Sequence, residues 1–365
     1  MTKAAYIIAA HRSAVIPKGG AFAHLSIHEL AAPIVQACLH SAGISAAQIG
    51  ELILSNAVGG GGNPARLTAL AAQLPEHIGG LSIDRQCTGG LDAIWLAAQM
   101  VMSGTHDIVV AGGAESASRR PIRMAVDPDG GDPQPYDRPD FTGLTGRDPD
   151  MAPSVATLAN DMNILRQTQE NWAIKSHAKA MTADFGNELV TIAEQSRDAF
   201  ARNLTAKTCA RAPILVGSIT TATTAADADA AAFVLVVSEH IAKNHPDAVR
   251  ITSGAMMGGV PDAPALAPIA AMRSVLGDFN PHDLKALEIM EAYAAQAIIA
   301  ANALNFDPSA INISGGALAR GHPIGASGAI LAVRLYHELQ KTSGTGLAAI
   351  AAAGGLGSAL LLSAR

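Results

Sequence analysis

Two glycine-rich turns constrain this chain more than any other feature: Asp84-Arg85-Gln86-Cys87-Thr88-Gly89-Gly90 and Gly321-His322-Pro323-Ile324-Gly325-Ala326-Ser327-Gly328. Each joins an apolar strand-like run to an apolar helix-like run, and glycine at such a junction lets one stretch of backbone approach another closely. One turn carries a thiol and the other an imidazole. A cysteine at a strand-to-helix turn lies beside the helix's unsatisfied N–H groups, whose partial positive charge favours thiolate over thiol and can bond a developing oxyanion. The histidine would then supply the base, which is the Cys-His logic of nucleophilic catalysis. Taken alone, Cys87 reads equally well as a small buried residue.

Strand-like residues 5–9, 52–55, 81–84 and 108–111 alternate with helix-like residues 27–42, 64–74 and 91–103. This alternation predicts an α/β fold with a largely parallel sheet. Ser26 followed three residues later by Glu29 reads as a capping box, and Asn63-Pro64 as a second helix start. Seven aspartates and five prolines between Asp127 and Asp150 interrupt the pattern, so this stretch is expected to be a loop excursion. Two amphipathic helices follow near 154–163 and 169–181, then strands at 214–217 and 233–238. Alternation resumes with strands at 249–253, 286–290, 311–314, 347–353 and 359–363 and helices at 265–276, 294–304 and 325–340. The second half repeats the first, turn for turn, which suggests a duplicated unit whose two glycine turns meet near a pseudo-twofold axis. The expected units are 1–115 with 213–247, an inserted domain at 116–212, and 248–365.

A chain of 365 residues exceeds the size at which one core keeps growing, in keeping with two core-bearing halves. Apolar residues reach 49% with aromatics at only 4% and 35 glycines, so small side chains would let layers pack closely. A net charge of −6 gives no electrostatic reason to expect nucleic acid or an anionic membrane surface. Three cysteines without CxxC spacing point to a reducing, cytoplasmic setting and away from structural zinc. The first ten residues read as a strand rather than a secretory signal, and the apolar stretch 347–362 is too short and glycine-interrupted to span a bilayer. Cys38 falls on the apolar face of the first helix and is expected to be a core thiol. Asp84, Asp92 and Glu115 read as solvated or capping carboxylates. His106, His177, His240, His245, His282 and His337 lack ligand spacing, so they read as surface residues and no metal is expected. Neither a GxxxxGK[ST] nor a GxGxxG motif followed by an acidic residue is present.

Asn63-Pro64-Ala65-Arg66, Cys87-Thr88-Gly89-Gly90, Val110-Ala111-Gly112-Gly113-Ala114-Glu115-Ser116, Glu291-Ala292-Tyr293-Ala294 and Gly315-Gly316-Ala317 through Gly321–Gly328 stand in one characteristic order. On these motifs the chain resembles, nearly end to end, the thiolases, CoA-dependent acyltransferases that make or cleave 3-ketoacyl-CoA. The resemblance implies a five-layer αβαβα fold of two duplicated βαβαβ halves, a loop domain over the site, and a homodimer or homotetramer. It also implies coenzyme A thioesters as substrates, as in fatty acid metabolism, with no tightly bound cofactor. Carried over by motif, Cys87 would be the acylated nucleophile and His322 its activator. His322 would also hold a thioester oxygen, and the backbone N–H groups of Cys87 and Ala353 would form a second oxyanion hole. Arg119, Arg120 and Arg123 would either meet the CoA phosphates or form a solvated edge.

Departures from the family pattern are equally specific. The C-terminal turn that normally begins with a second cysteine reads Ala351-Ala352-Ala353-Gly354-Gly355-Leu356-Gly357. In the family that cysteine moves the α-proton, a contribution of roughly 10²–10⁴-fold. The Asn-Glu-Ala-Phe element begins here with Met290, removing an amide that positions an oxyanion-hole water. The Gly-Asn-Ala-Ser element aligns with Ala222-Thr223-Thr224-Ala225, so Ala225 lacks the serine hydroxyl. The loop-domain histidine has no counterpart near Met151-Ala152-Pro153. Three functions fit: an acyltransferase with impaired or altered C–C chemistry, a degenerate CoA-binding or assembly subunit, or a decarboxylative Cys-His condensing enzyme.

Overall fold

Residues Ala228–Ser238 (Ala-Asp-Ala-Ala-Ala-Phe-Val-Leu-Val-Val-Ser) carry apolar side chains on both faces of a strand, and side chains alternate sides along a strand. Ala231, Phe233, Leu235 and Val237 enter one apolar cluster while Ala230, Ala232, Val234 and Val236 enter another. Such a strand must lie between two helical layers. The computed structural model, which describes residues 4–364, places it there. The first three residues and Arg365, which fall within the expected first strand and domain limits, lie outside the described residues.

Nine strands form a continuous path through an eleven-stranded sheet. They are β1 (Ala5–Ser13), β2 (Glu51–Ser55), β3 (Leu81–Ile83), β4 (Ile108–Ser116), β5 (Ala228–Ser238), β6 (Val249–Gly258), β7 (Ala286–Ile289), β8 (Gly344–Ala352) and β9 (Leu356–Ala364). Their order is β7-β8-β9-β6-β1-β5-β4-β2-β3. The main helices are α1 (Ile27–Ala42), α2 (Pro64–Ala71), α3 (Gly89–Ser103), α4 (Met151–Asp161), α5 (Arg166–Thr182), α6 (Ala267–Leu276), α7 (Ala294–Asn302) and α8 (Ile324–Thr342). The Ser26–Glu29 capping box and the Asn63 cap are both formed.

The layers follow from the apolar clusters. Helices α1 and α2 cover the outer face of β1, β2, β4 and β5, with Cys38 fully buried among them. Helices α3 and α8 form the central layer, packed on the opposite face of those strands and on β8 and β9. Helices α6 and α7 cover the remaining face of β7, β8 and β9. Strands β1 and β6 pair antiparallel and thereby join the two halves edge to edge.

Three expectations need correction. The sheet is mixed rather than largely parallel: parallel pairing occurs at its flanks, β7–β8 and β4–β2–β3, while the strands between pair antiparallel. The reason is connectivity, since β8 and β9 form a hairpin and β5 returns after a long excursion instead of a simple helical crossover. Residues 311–314 form one isolated bridge and a turn, because the Asn312 side chain bonds both Ile289 N–H and Ile289 C=O and takes the place of a strand partner. Residues Ile214–Val216 do not rejoin the sheet. They pair with Ile219–Thr220 in a separate hairpin, and Ile219 and Val216 pack against Val155 and Ala159 of α4.

Residues 123–136 include a second small hairpin, Arg123–Ala125 with Gln134–Tyr136, within the aspartate- and proline-rich excursion. Helices α4 and α5 settle on α7, through Val155 and Ala159 against Ala295 and through Ala173 against Ala294.

Candidate active site

Both glycine turns lead into the central helices. Asp84 Oδ1 accepts the Gln86 N–H at 2.9 Å, holding Gln86 at φ 52°, a left-handed conformation that non-glycine residues adopt at some cost. The chain then makes a tight turn over Gln86–Thr88 and enters α3 at Gly89. Arg85 pairs at 2.8 Å with Asp92 in the first turn of α3. Cys87 is therefore held on a short, pinned corner and is only partly buried.

The partner turn is held from below. The His322 N–H donates to Ala226 C=O at 2.7 Å, and His322 bridges Asp227. Glu115 is fully buried and accepts four donors: Gly325 N–H at the start of α8, Ala57 N–H, Val58 N–H and the Asn56 amide. Burial pushes its carboxyl up to about 6 against those four bonds. Glu115 thus caps α8 and ties its N-terminus to the end of β2. Asp92 is likewise buried, not solvated, and burial raises its carboxyl despite the Arg85 and Thr88 contacts.

These supports bring Cys87 Sγ to 3.2 Å from His322 Nε2. Ser327, one turn into α8, decides the imidazole's tautomer. Its hydroxyl donates to Pro323 C=O at 2.9 Å, so its oxygen accepts from His322 Nδ1 at 2.7 Å. Nδ1 carries the hydrogen, and Nε2 presents a lone pair to the thiol. Burial pushes the Cys87 thiol up to about 12, with the Glu115 and Asp84 carboxylates adding to the rise against its own backbone N–H. Burial alone pushes His322 down to about 4. The resting pair is neutral thiol and neutral imidazole, which reverses the thiolate expected from the turn. Desolvation, with the nearby carboxylates, outweighs the bond from the Cys87 backbone N–H.

Ala353 lies on the turn after β8 and is buried, as is Ala351, which pairs with Gly357. Met290 is buried in the central apolar cluster, against which Cys87, Ala225 and Ala292 also pack. The Ala225 N–H donates to Ala292 C=O at 2.9 Å, so residues 224–227 form a strip between the 292–293 and 321–322 segments.

The three arginines lie apart from one another in role. Arg119 donates to His24 C=O at 3.2 Å and lines a cleft of about 250 Å³ with Ser26, His28 and Gly59–Gly61. Arg120 and Arg123 make no ion pair among the described residues. His177 is buried rather than on the surface, and burial and Arg202 push it down to about 4.

Sequence reasoning missed Ser327 and the strapping role of Glu115. Ser327 stood five residues after His322, within one helical turn of Pro323, a spacing from which its bond to the ring could be read.

The family model described as the thiolase N-terminal domain matches residues 5–240, and that of the thiolase C-terminal domain matches residues 245–364. The acetyl-CoA acetyltransferase of Cupriavidus necator is 34% identical, over 97% of this chain and 98% of its own length. Among solved structures, the Bacillus anthracis acetyl-CoA acetyltransferase superposes with a TM-score of 0.90 at 30% identity, over 100% of this chain and 99% of that one. Human mitochondrial 3-ketoacyl-CoA thiolase in complex with CoA gives a TM-score of 0.93 at 25% identity, over 100% of this chain and 98% of that one. Matched in both halves and aligned from end to end with relatives of this identity, the chain belongs to the thiolase family.

Proposed function

We propose that this protein transfers acyl groups to and from coenzyme A through a thioester on Cys87. The observation that carries the reading is the 3.2 Å contact between Cys87 Sγ and a His322 Nε2 whose lone pair Ser327 aims at it. Because the pair rests neutral, proton transfer accompanies attack. Nε2 takes the thiol proton as Sγ bonds the acyl carbon, and the backbone N–H groups of Cys87 and Ala353 stabilise the tetrahedral oxygen. The bond from the acyl carbon to the CoA sulfur then breaks. His322 passes its proton to that sulfur, leaving an acyl thioester on Cys87 and free CoA.

Return of the acyl group to a CoA thiol is the reverse of this step. Joining it to a carbon nucleophile requires an α-proton to be removed from a second acyl-CoA, and the methyl group of Ala351 cannot do so. Claisen condensation and its reverse are therefore slowed by roughly 10²–10⁴-fold relative to a site with a cysteine there. Ala351 also favours a second reading, in which a malonyl-type donor loses CO₂ and needs no base. A passive CoA-binding subunit has no use for the Cys87–His322–Ser327 relay. Arg119, Arg120 and Arg123 are the candidates for the CoA phosphates, a role supported only by their position at the start of the insertion. The protein is a homodimer or homotetramer in this reading, working in the reducing cytoplasm where its three free cysteines persist.

Incubation with acetyl-CoA and mass spectrometry of the peptide containing Cys87 tests the proposal. An acetyl adduct on Cys87 with stoichiometric CoA release is expected, and the adduct disappears in Cys87→Ala. Malonyl-CoA in a parallel sample separates the two carbon-bond readings by CO₂ release. No adduct, with CoA release at background, overturns the proposal.

A further inference from the structure

In the acyl-transfer reading the Ala353 N–H meets the tetrahedral oxygen, so whatever fixes residue 353 fixes that donor. Ala353 opens a turn whose next two residues, Gly354 and Gly355, both take left-handed φ, at 75° and 79°. Glycines there have no side chains with which to anchor the turn. Two neighbours hold it instead. On one side the Gly259 N–H donates to Gly355 C=O at 2.7 Å. On the other lies Phe141 of the inserted segment, where a Cβ added at Gly354 would stand 2.8 Å from the Phe141 carbonyl oxygen and 3.5 Å from the Phe141 Cβ.

Arg138 keeps Phe141 in that place. Its guanidinium spans the aspartates that close the same loop, from Nη1 to Asp148 Oδ2 at 3.0 Å, from Nη2 to Asp148 C=O at 2.9 Å and from Nε to Asp150 Oδ1 at 2.7 Å. Asp148 Oδ2 also accepts the Phe141 N–H at 3.1 Å, and the guanidinium carbon lies over the Phe141 ring, 4.8 Å from its centre. Asp150 is the N-cap residue of α4, and Ser154 in the first turn of that helix donates its hydroxyl to Asp262 C=O at 2.7 Å. Arg147, from the same loop, pairs with the Asp262 carboxylate at 2.8 Å. The loop is thereby tied to residues 259–262, which grip the far side of the turn. We infer that Arg138 is a positioning residue for acyl transfer: by knotting residues 138–150 it closes a clamp on Gly354 and Gly355 that keeps the Ala353 N–H aimed at the tetrahedral oxygen. A planar fork of donors suits this use, since one guanidinium meets two carboxylates and a carbonyl at once.

The inference rests on the acyl-CoA reading above, and one variant separates the two. Arg138→Gln removes the fork from a partly exposed side chain, where ion pairs contribute little to stability. Three quantities are measured on wild type and variant: the maximal rate of Cys87 acetylation by acetyl-CoA, the acetyl-CoA concentration that gives half that rate, and the rate of Cys87 alkylation by iodoacetamide. Alkylation displaces iodide in one step and develops no oxyanion, so it reports on Cys87 without calling on the Ala353 N–H. Outright loss of one oxyanion donor costs about 10²–10³-fold in rate, so a loosened donor should cost at least ~10-fold in the maximal acetylation rate. The half-saturating concentration should stay within about twofold, and alkylation should not slow, because the clamp acts on the donor rather than on substrate binding or on the thiol. Unchanged acetylation, a rise in the half-saturating concentration alone, or acetylation and alkylation slowing together each overturns the role of Arg138 and leaves the acyl-transfer reading intact. Failure of the wild type to acetylate Cys87 removes that reading and this inference with it.

Discussion

A thiol near pKa 12 facing an imidazole near 4 keeps its proton on sulfur across the whole neutral range. That charge state makes a residue-scale prediction opposite to that of a preformed thiolate–imidazolium pair. Alkylation by iodoacetamide follows the thiolate fraction, so the rate at Cys87 should rise about tenfold per pH unit from pH 7 to pH 9 without a plateau. A plateau beginning below pH 7, measured by mass spectrometry of the Cys87 peptide, would contradict the neutral pair. Acyl transfer behaves differently, because it needs only a deprotonated Nε2. It should stay level from about pH 6 to pH 9 and fall on the acid side as His322 protonates near 4. That Cys87 and His322 would be brought together was legible because cysteine and histidine on glycine turns have few structural uses. Their charge state was not, because it depends on how much water and which carboxylates surround the sulfur. Asp84 reaches Cys87 from its own turn, but Glu115 comes from β4, a neighbour that only the folded chain supplies.

At the scale of elements, α3 and α8 bring the two halves of the site together, and they do so backbone to backbone. A Cβ added at Gly328 would lie 2.4 Å from Leu91 N, and one at Gly90 would lie 2.6 Å from Ala329 N. No flexible side chain is there to move aside, so a methyl group at either position pushes one helix away from the other. Gly328→Ala should lower stability by about 1–3 kcal/mol. Because Cys87 and His322 stand at the N-terminal ends of these helices, the same variant should slow Cys87 acetylation at least ~10-fold, since an ångström of misplacement at a reacting pair is worth about 10²-fold. A variant that melts lower yet acetylates at the wild-type rate would show that the crossing does not set the Sγ–Nε2 distance. The two glycine turns and the helices after them were legible from spacing and apolar run length. Strand direction was not: β5 has apolar residues on both faces, as a buried strand does in either a parallel or an antiparallel sheet, and the sequence carries no sign of which neighbour it will meet.

Across the whole molecule, one buried ionic network ties Glu188 and Asp198 to β1 and Glu188 to α8 as well. Arg12 of β1 pairs with Glu188, and its guanidinium spans both Asp198 oxygens at 2.7 and 3.0 Å. Arg334 of α8 pairs with the same Glu188 and with Glu338, which also accepts the Ser314 hydroxyl at 2.7 Å. Nothing in the sequence marked these residues, since Glu188 and Asp198 lie about 180 residues from Arg12 in chain order and in no motif. Burial alone would raise the Glu188 carboxyl, but Arg12 and Arg334 overcome it and hold the group at about 2. A depressed carboxylate pKa stabilises the folded chain above the ordinary range near 4.3 and loses that contribution as pH falls from there toward 2. Thermal melting should accordingly be insensitive to this group between pH 7 and pH 5 and should drop steeply between pH 4.5 and pH 3. Glu188→Gln leaves Arg12 and Arg334 buried against a neutral amide, a loss of about 3–5 kcal/mol at pH 7. The variant should also melt with a shallower acid limb, because the group whose protonation wild type suffers is gone. If Glu188→Gln and wild type lose stability in parallel below pH 4.5, the acid sensitivity belongs to other carboxylates, and the network joins these elements without governing their stability to acid.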